Sequence, residues 1–333
     1  MILTVTPSPA VDKTYVVPDF QVGVEARVDG RFIVPAGKAV NVARVARALG
    51  EEVSATGFLA GDRGEFVQRH LETLGIITDF AWIGGDTRET VTVLDPVSGM
   101  QTRLMEIGPV VTEDDVRSLE AKVRAMAAGA DVITLGGRLP EGAPPDLYRR
   151  ILDIVRQMGA PVILDAHGLS LRLALGASPF LIKPNQAELA ELVERPIGGP
   201  EDAVQAALEI QEDGVECVVV SLGSQGAVAV CADGAFRVYP LVVKVVNTVG
   251  CGDSLVAGLA VELARAVREA RMTGGVQLSG LPDGWLVRGL VLGTAAAASN
   301  AVTETAGTID PEGIPGLAAC VQVERMSPGQ PAT

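Results

Sequence analysis

The chain has 333 residues, 48% hydrophobic and 20% charged, which suffices for one large domain or one large and one small. A formal net charge of −14 argues against nucleic acid or an anionic membrane surface as partner, and two histidines leave little material for His-rich metal sites or a Ser-His-Asp triad. No apolar run approaches the roughly 20 residues of a membrane span. The start, "MILTVTPSPAVDK", lacks the basic and apolar regions of a signal peptide. Cys217, Cys231, Cys251 and Cys320 form no CxxC pair, so free thiols and a cytoplasmic protein are expected.

In chain order, "ILTVT" (2–6) reads as a strand, followed by a region at 12–36 that alternates polar and apolar residues without helical spacing. "KAVNVARVARALG" (38–50) reads as a helix. Residues 88–107 read as a hairpin turning at "DPVSG". Together, 12–36 and 88–107 predict a small antiparallel sheet projecting from the body, suited to cover a cleft or pair with another subunit.

Helices are then expected at 113–129, 145–159 and 200–214, between apolar strands at 131–137, 161–166, 180–185, 217–223 and 226–233. Several of these helices end on Gly. Solid apolar strands alternating with helices predict a mainly parallel sheet covered on both faces, an α/β fold. Near the end, "VVKVVN" (242–247) reads as a strand and "DSLVAGLAVELARAVREA" (253–270) as an amphipathic helix. Residues 271–284 read as a loop and "SPGQPAT" as a disordered tail.

Two stretches offer chemistry. In "NTVGCGDSLVAGL" (247–259), Gly250, Cys251 and Gly252 would form a turn at a helix N-terminus. There, unpaired N–H groups and the positive dipole end favour an anion. Asp253 is then either an N-cap or a catalytic base. No G-x-x-x-x-G-K-[ST] loop occurs, and the G-x-G-x-x-G pattern fails at Leu255. In "PAGKAVNVARVARALG" (35–50), Gly37 and Lys38 open a helix on which Asn41 shares the face of Lys38, where both could hold hydroxyls or an anion. Alone, this second segment reads equally as a helix with solvated basic residues.

These two segments resemble the signatures of the ribokinase-like PfkB carbohydrate kinases. "TPSPAVD", "TRETVTV", "LPEG", "LDAHG", "KPNQAEL" and "SLGSQG" follow the same family order from about Met1 to Gly307. The opening "TPSPAVD", the Lys of "AGK" and the "TR" before the second lid strand favour the hexose-phosphate branch, comprising 1-phosphofructokinase, tagatose-6-phosphate kinase and the minor 6-phosphofructokinase.

The resemblance implies a three-layer α/β/α sandwich with a β-lid, one kinase domain over 1–322, and a disordered tail over 323–333. It implies Asp253 as the base that accepts the sugar hydroxyl's proton, with Gly250, Cys251 and Gly252 as an anion hole for the transferred phosphoryl. Asp12 would hold sugar hydroxyls, and Arg27, Lys38, Arg88 and Arg103 would gather at the sugar phosphate. Lys183 and Asn185 would serve ATP phosphates and Mg²⁺, with Glu188 acting through metal-bound water. Ser221 and Gly223, in the turn closed by Gly226, would pack on the nucleotide. ATP, Mg²⁺, in some relatives a monovalent cation, and a homodimer through the lid complete the expectation.

The chain departs from the family pattern in four places. Ala39 follows Lys38 where a further Gly is common. Gly137 and Arg138 replace residues that often touch substrate, and "LMEIGP" replaces an Asn-Glu-Pro-Gly-Pro-like stretch. Cys251 stands where Ala is usual; a thiol at a helix N-terminus is a candidate for acidification and oxidation.

Overall fold

The computed structural model describes residues 1–273 and 281–326. The tail "SPGQPAT" and half of the loop expected at 271–284 lie outside them. The chain opens with β1 (Ile2–Thr6) and a hairpin of β2 (Ala10–Val16) and β3 (Gly30–Ala36), then passes through α1 (Lys38–Ala48) to β4 (Val53–Leu59). Next come α2 (Gly61–Thr73), the short strands β5 (Ile77–Thr78) and β6 (Ala81–Trp82), and a second hairpin of β7 (Glu89–Leu94) and β8 (Gln101–Met105). Helices and strands then alternate through α3 (Glu113–Ala127), β9 (Val132–Gly136), α4 (Leu147–Arg156), β10 (Val162–Asp165), α5 (Gly168–Leu175), β11 (Leu181–Ile182), α6 (Gln186–Leu192), α7 (Pro200–Glu212) and β12 (Cys217–Ser221). The chain closes with β13 (Ala227–Cys231), β14 (Gly234–Val238), α8 (Cys251–Met272), α9 (Trp285–Ala301), α10 (Ile314–Ala318) and β15 (Val323–Met326).

Eleven strands form one sheet, ordered β15-β14-β13-β12-β11-β10-β9-β1-β4-β5, with β6 also on β4. From β12 to β5 the pairings are parallel; from β12 to β15 they are antiparallel. Each central strand feeds both faces, as alternation along a strand requires. Ile2, Val132 and Val219 join a core beneath α1, α8 and α9, whereas Leu3, Val5, Ile133, Val218 and Val220 join a core beneath α3, α4 and α7. α8 is buried almost all round at its start, because Gly258 lets it touch α9: a Cβ there would lie 2.2 Å from the Gly293 nitrogen.

The second sheet has the order β3-β2-β7-β8. Its two hairpins are antiparallel, and the β2–β7 pair that joins them is parallel. Two expectations need correction. "VVKVVN" is not a strand: residues 241–246 run as an extended loop in which Val242 and Val245 are exposed, so their valines line a cavity instead of pairing in the sheet. Nor is 323–326 a disordered tail, because β15 pairs with β14 along its whole length.

Candidate active site

The parallel strands end at the face where α1 and α8 begin, the usual ligand edge of an open α/β sheet. Gly250 precedes α8 in the left-handed region, at φ +86°, and a Cβ on it would meet the Gly307 nitrogen at 2.7 Å. α8 itself starts at Cys251, so Cys251, Gly252 and Asp253 form its first turn and Gly250 takes the cap position. Their N–H groups point out of the helix start without intrahelical acceptors; that of Cys251 reaches Thr248 O at a long 3.4 Å. Two buried asparagines shape this turn. Asn300 accepts from the Gly307 N–H at 2.7 Å and donates to Val249 O at 2.8 Å, while Asn247 accepts from the Val249 N–H at 2.9 Å and donates to Glu304 O at 2.9 Å.

Asp253 is not an N-cap. Its side chain is buried and accepts a hydrogen bond from Asn41 Nδ2 at 2.7 Å. Burial, reinforced by the charge of Asp165, pushes its pKa up to about 6, against the pull of Asn41, Lys38 and Lys183. Below it lies an ion network. Lys38 Nζ is 2.8 Å from Asp165 Oδ1 and 3.5 Å from Glu188 Oε1, and Lys183 Nζ is 3.4 Å from Asp165 Oδ2. Burial alone would lower the Lys38 pKa, but Asp165 and Glu188 together hold it above its usual value. Asp165, fully buried, stays below its ordinary value despite burial because the two lysines neutralise it.

Sequence reasoning missed Asp165 and Asn300. Asp165 ends strand β10 within "LDAHG", and a carboxylate at the carboxyl end of a parallel strand was a signal that could have marked it.

Two cavities meet at the α8 N-terminus. The smaller, about 270 Å³, is lined by Gly250 and Asp253 at one end and by the second sheet at the other. That sheet contributes alternate residues from one face: Ala10 and Asp12 of β2, Thr90 of β7, Arg103 and Met105 of β8. Gly37, Lys38, Asn41 and Arg88 complete the wall. Asp12 is buried and accepts from Thr92 Oγ1 at 3.3 Å; burial raises its pKa, opposed by Arg103, Thr92, Arg44 and Arg88. Buried Arg44 ties α1 to the segment between α9 and α10 by donating to Ala306 O at 2.8 Å and Thr308 Oγ1 at 3.0 Å.

Among the cations expected here, Lys38, Arg88 and Arg103 line the cavity, but Arg27 does not. It lies in the exposed loop between β2 and β3. Asn41 lines the cavity as expected, yet spends its amide on Asp253 and so orients the carboxylate.

The larger cavity, about 1130 Å³, lies on the other side of the same turn and is lined by Cys251, Gly252, Asn185, Ser221, Gly223 and Gly226 among others. Its apolar wall includes Val242, Val243 and Val245 of the misread loop. Lys183 does not line it: its Nζ sits beneath Gly252, 3.5 Å from where a Cβ would be, paired with Asp165.

Asn185 and Glu188 form a reciprocal capping box at α6, with bonds of 2.9 and 2.8 Å. Their oxygens therefore already have protein partners, and among the described residues no group of three acidic, His or Cys side chains could hold a metal directly. Cys251 also departs from expectation. Burial raises its thiol pKa, and Asp253 adds to this against a 3.5 Å hydrogen bond from Asn300, so the thiol is not acidified.

Residues 11–311 match the model of the pfkB family of carbohydrate kinases. The chain belongs to this family. Escherichia coli phosphofructokinase-2 in complex with fructose-6-phosphate is 28% identical to this kinase at a TM-score of 0.83, over 96% of this chain and 98% of that one. The same E. coli protein in complex with potassium matches with equal identity, 28%, and TM-score, 0.83. A Thermotoga maritima protein described as a "possible 1-phosphofructokinase" shares the fold at 23% identity and a TM-score of 0.82, over 98% of this chain and all of that one (100%). This PfkB member is a sugar kinase, a phosphotransferase acting on an alcohol. Among its described residues no helix is long and apolar enough to cross a membrane.

Proposed function

We propose that this kinase transfers the γ-phosphoryl group of ATP to a hydroxyl of a ketohexose phosphate, giving a bisphosphate. One observation carries the reading. Asp253 lines the smaller cavity next to Cys251 and Gly252, which line the larger one, and the smaller cavity ends in Arg88 and Arg103, the geometry needed to hold a phosphate at one end of a sugar and deprotonate a hydroxyl at the other.

In this account the sugar lies in the smaller cavity with Asp12 accepting from its hydroxyls, and the nucleotide lies in the larger one against Ser221 and Gly223. The Asp253 carboxylate takes the proton of the attacking hydroxyl as the new O–P bond forms. With a pKa of about 6 it is ionised at neutral pH yet basic enough to do so. The N–H groups of the Gly250–Gly252 turn stabilise charge on the phosphoryl in flight, and the backbone network fixes them before reaction. Lys183 and Lys38 hold Asp165 and add positive charge below the turn.

Because Asn185 and Glu188 are spent on each other, Mg²⁺ would be held by the nucleotide's phosphates and reach Glu188 only through water. Bound there, it would neutralise phosphate charge. A monovalent cation beside the anion hole belongs to the same reading, supported by the E. coli relative solved with potassium. Exposed Leu104 on β8, with Val22 and Val24 in the loop between β2 and β3, supports pairing of two lids in a homodimer.

Steady-state kinetics on fructose 1-phosphate, fructose 6-phosphate, tagatose 6-phosphate and ribose test the reading. We expect kcat/KM for at least one sugar phosphate to exceed that for ribose by about 10²-fold, the scale of losing charged phosphate contacts. A preference for ribose would overturn it.

A further inference from the structure

The hairpin of β12 and β13 carries part of the wall of the larger cavity at its tip, through Ser221, Gly223, Gly226 and Ala227. At its other end it holds two cysteines, Cys217 at the start of β12 and Cys231 at the end of β13. The antiparallel register runs from Ser221 opposite Ala227 to Val218 opposite Val230, and the next step outward sets Cys217 opposite Cys231. The hydrogen bonds fix what kind of pair this is. Leu222 N–H donates to Gly226 O at 2.8 Å, which makes 222 and 226 a hydrogen-bonded pair. Such pairs alternate along an antiparallel ladder, so 220 with 228 and 218 with 230 are bonded, and Cys217 with Cys231 is not. Accordingly, the Cys217 N–H turns to the opposite neighbour and donates to Phe180 O at 2.9 Å. Non-bonded pairs bring their Cα atoms to roughly 4.5 Å with both side chains on one face, within the roughly 4.4–6.8 Å that a disulfide spans.

A single buried cysteine serves packing. Here two thiols meet, and their surroundings differ. Cys217 is 4% exposed and Cys231 8%, and Cys231 stands at the foot of an exposed two-residue turn, Ala232 and Asp233. A hydrogen bond between the two sulfurs holds the Cys231 thiol below its ordinary value, against burial, and raises that of Cys217. The N–H groups of Asp233 and Gly234 add to the lowering, and Arg325 fixes their turn by donating to Asp233 O at 2.6 Å. A sulfur held toward its thiolate form, with a second thiol in bonding register, is the arrangement of an attacking and a resolving cysteine.

We propose that Cys217 and Cys231 form a peroxide-responsive dithiol site that closes a cross-strand disulfide and staples the hairpin walling the larger cavity. In the first step the Cys231 thiolate attacks one oxygen of hydrogen peroxide. The S–O bond forms, the O–O bond breaks, and the departing hydroxide leaves as water with the proton shed by the thiol. In the second step the Cys217 sulfur displaces the hydroxyl of that sulfenic acid. The S–S bond forms, the S–O bond breaks, and a second water leaves with the Cys217 proton. The thiols lose two electrons and the peroxide gains them. The closed ring runs from 217 to 231 and holds Ser221, Gly223 and Gly226 against thermal opening, whatever the larger cavity binds.

The test treats the full-length wild-type protein with hydrogen peroxide under native conditions, alkylates the remaining thiols and maps the bridges by peptide mass spectrometry. No Lys or Arg separates the two cysteines, so both fall in the tryptic peptide that ends at Arg237. That peptide should lose two hydrogens and resist alkylation. Closing a ring of this length should raise the melting temperature by about 4 °C, and a thiol reductant should reverse the shift. In C217S, peroxide should leave Cys231 as a sulfenic acid that dimedone labels. In C231S, Cys217 should stay unlabelled and the melting temperature unmoved. A wild-type peptide that keeps both thiols free while exposed Cys320 is oxidised overturns the site, as does a bridge formed only in denatured protein. The wild-type map decides this even where a variant folds poorly.

Discussion

At the α8 end of the smaller cavity the polar side chains are tied to one another. Asn41 holds Asp253, two lysines hold Asp165, and two buried asparagines hold the turn before the helix. At the lid end, Arg88 has only neutral partners and Arg103 is exposed. The first end is organised before any ligand arrives, which suits groups that must stabilise charge without reorganising. The second end carries guanidiniums with neutral or no partners among the described residues, which suits recognition of an anion. Its residues come from a sheet outside the main body, so acceptor preference can change through β7 and β8 while the chemistry of the floor stays intact.

That contrast can be broken by substitution, and the floor should give the larger effects. Asp253→Asn removes the base and should lower kcat by about 10²–10⁴-fold, while calorimetry finds sugar-phosphate binding retained. Gly250→Ala forces a side chain into the left-handed region against Gly307, displacing the N–H donors, and should lower kcat by about 10²-fold, the scale of losing one such donor. At the lid end, Arg103→Ala should raise KM for the sugar phosphate by about tenfold with a smaller change in kcat. Cys251→Ala should change kcat by less than about threefold, because only the backbone of this position is used and the substitution leaves little space unfilled. A large kcat effect from Arg103 or a pure KM effect from Asp253 would erase the division of labour.

Much of this was legible in the chain, and the failures share a cause. "ILTVT" announced a buried strand because both faces of β1 are covered, and the 88–107 hairpin was marked by its turn residues. "VVKVVN" looked like a strand by composition, yet its valines serve a cavity wall, and composition does not distinguish a core from a ligand. Asp165 was marked only by its place at a strand's carboxyl end and Asn300 by nothing, because their roles depend on partners remote in sequence: Lys38 lies 127 residues from Asp165, and the Val249 carbonyl lies 51 residues from Asn300. Position on the helix suggested an acidic Cys251 thiol; burial, visible only in three dimensions, reverses the sign.

The pH dependence of kcat tests the central claim most directly, measured at saturating sugar phosphate and ATP for the wild type and for the residual activity of Asp253→Asn. A carboxylate base with a pKa of about 6 is protonated and inactive below that pH, so wild-type kcat should rise with unit slope toward pH 6 and level off above it. The substrate's phosphate also ionises near pH 6, and the variant separates the two: the limb should vanish in Asp253→Asn. A wild-type kcat that is flat from pH 5 to 8, or a limb that persists unchanged in the variant, would contradict Asp253 as the proton acceptor.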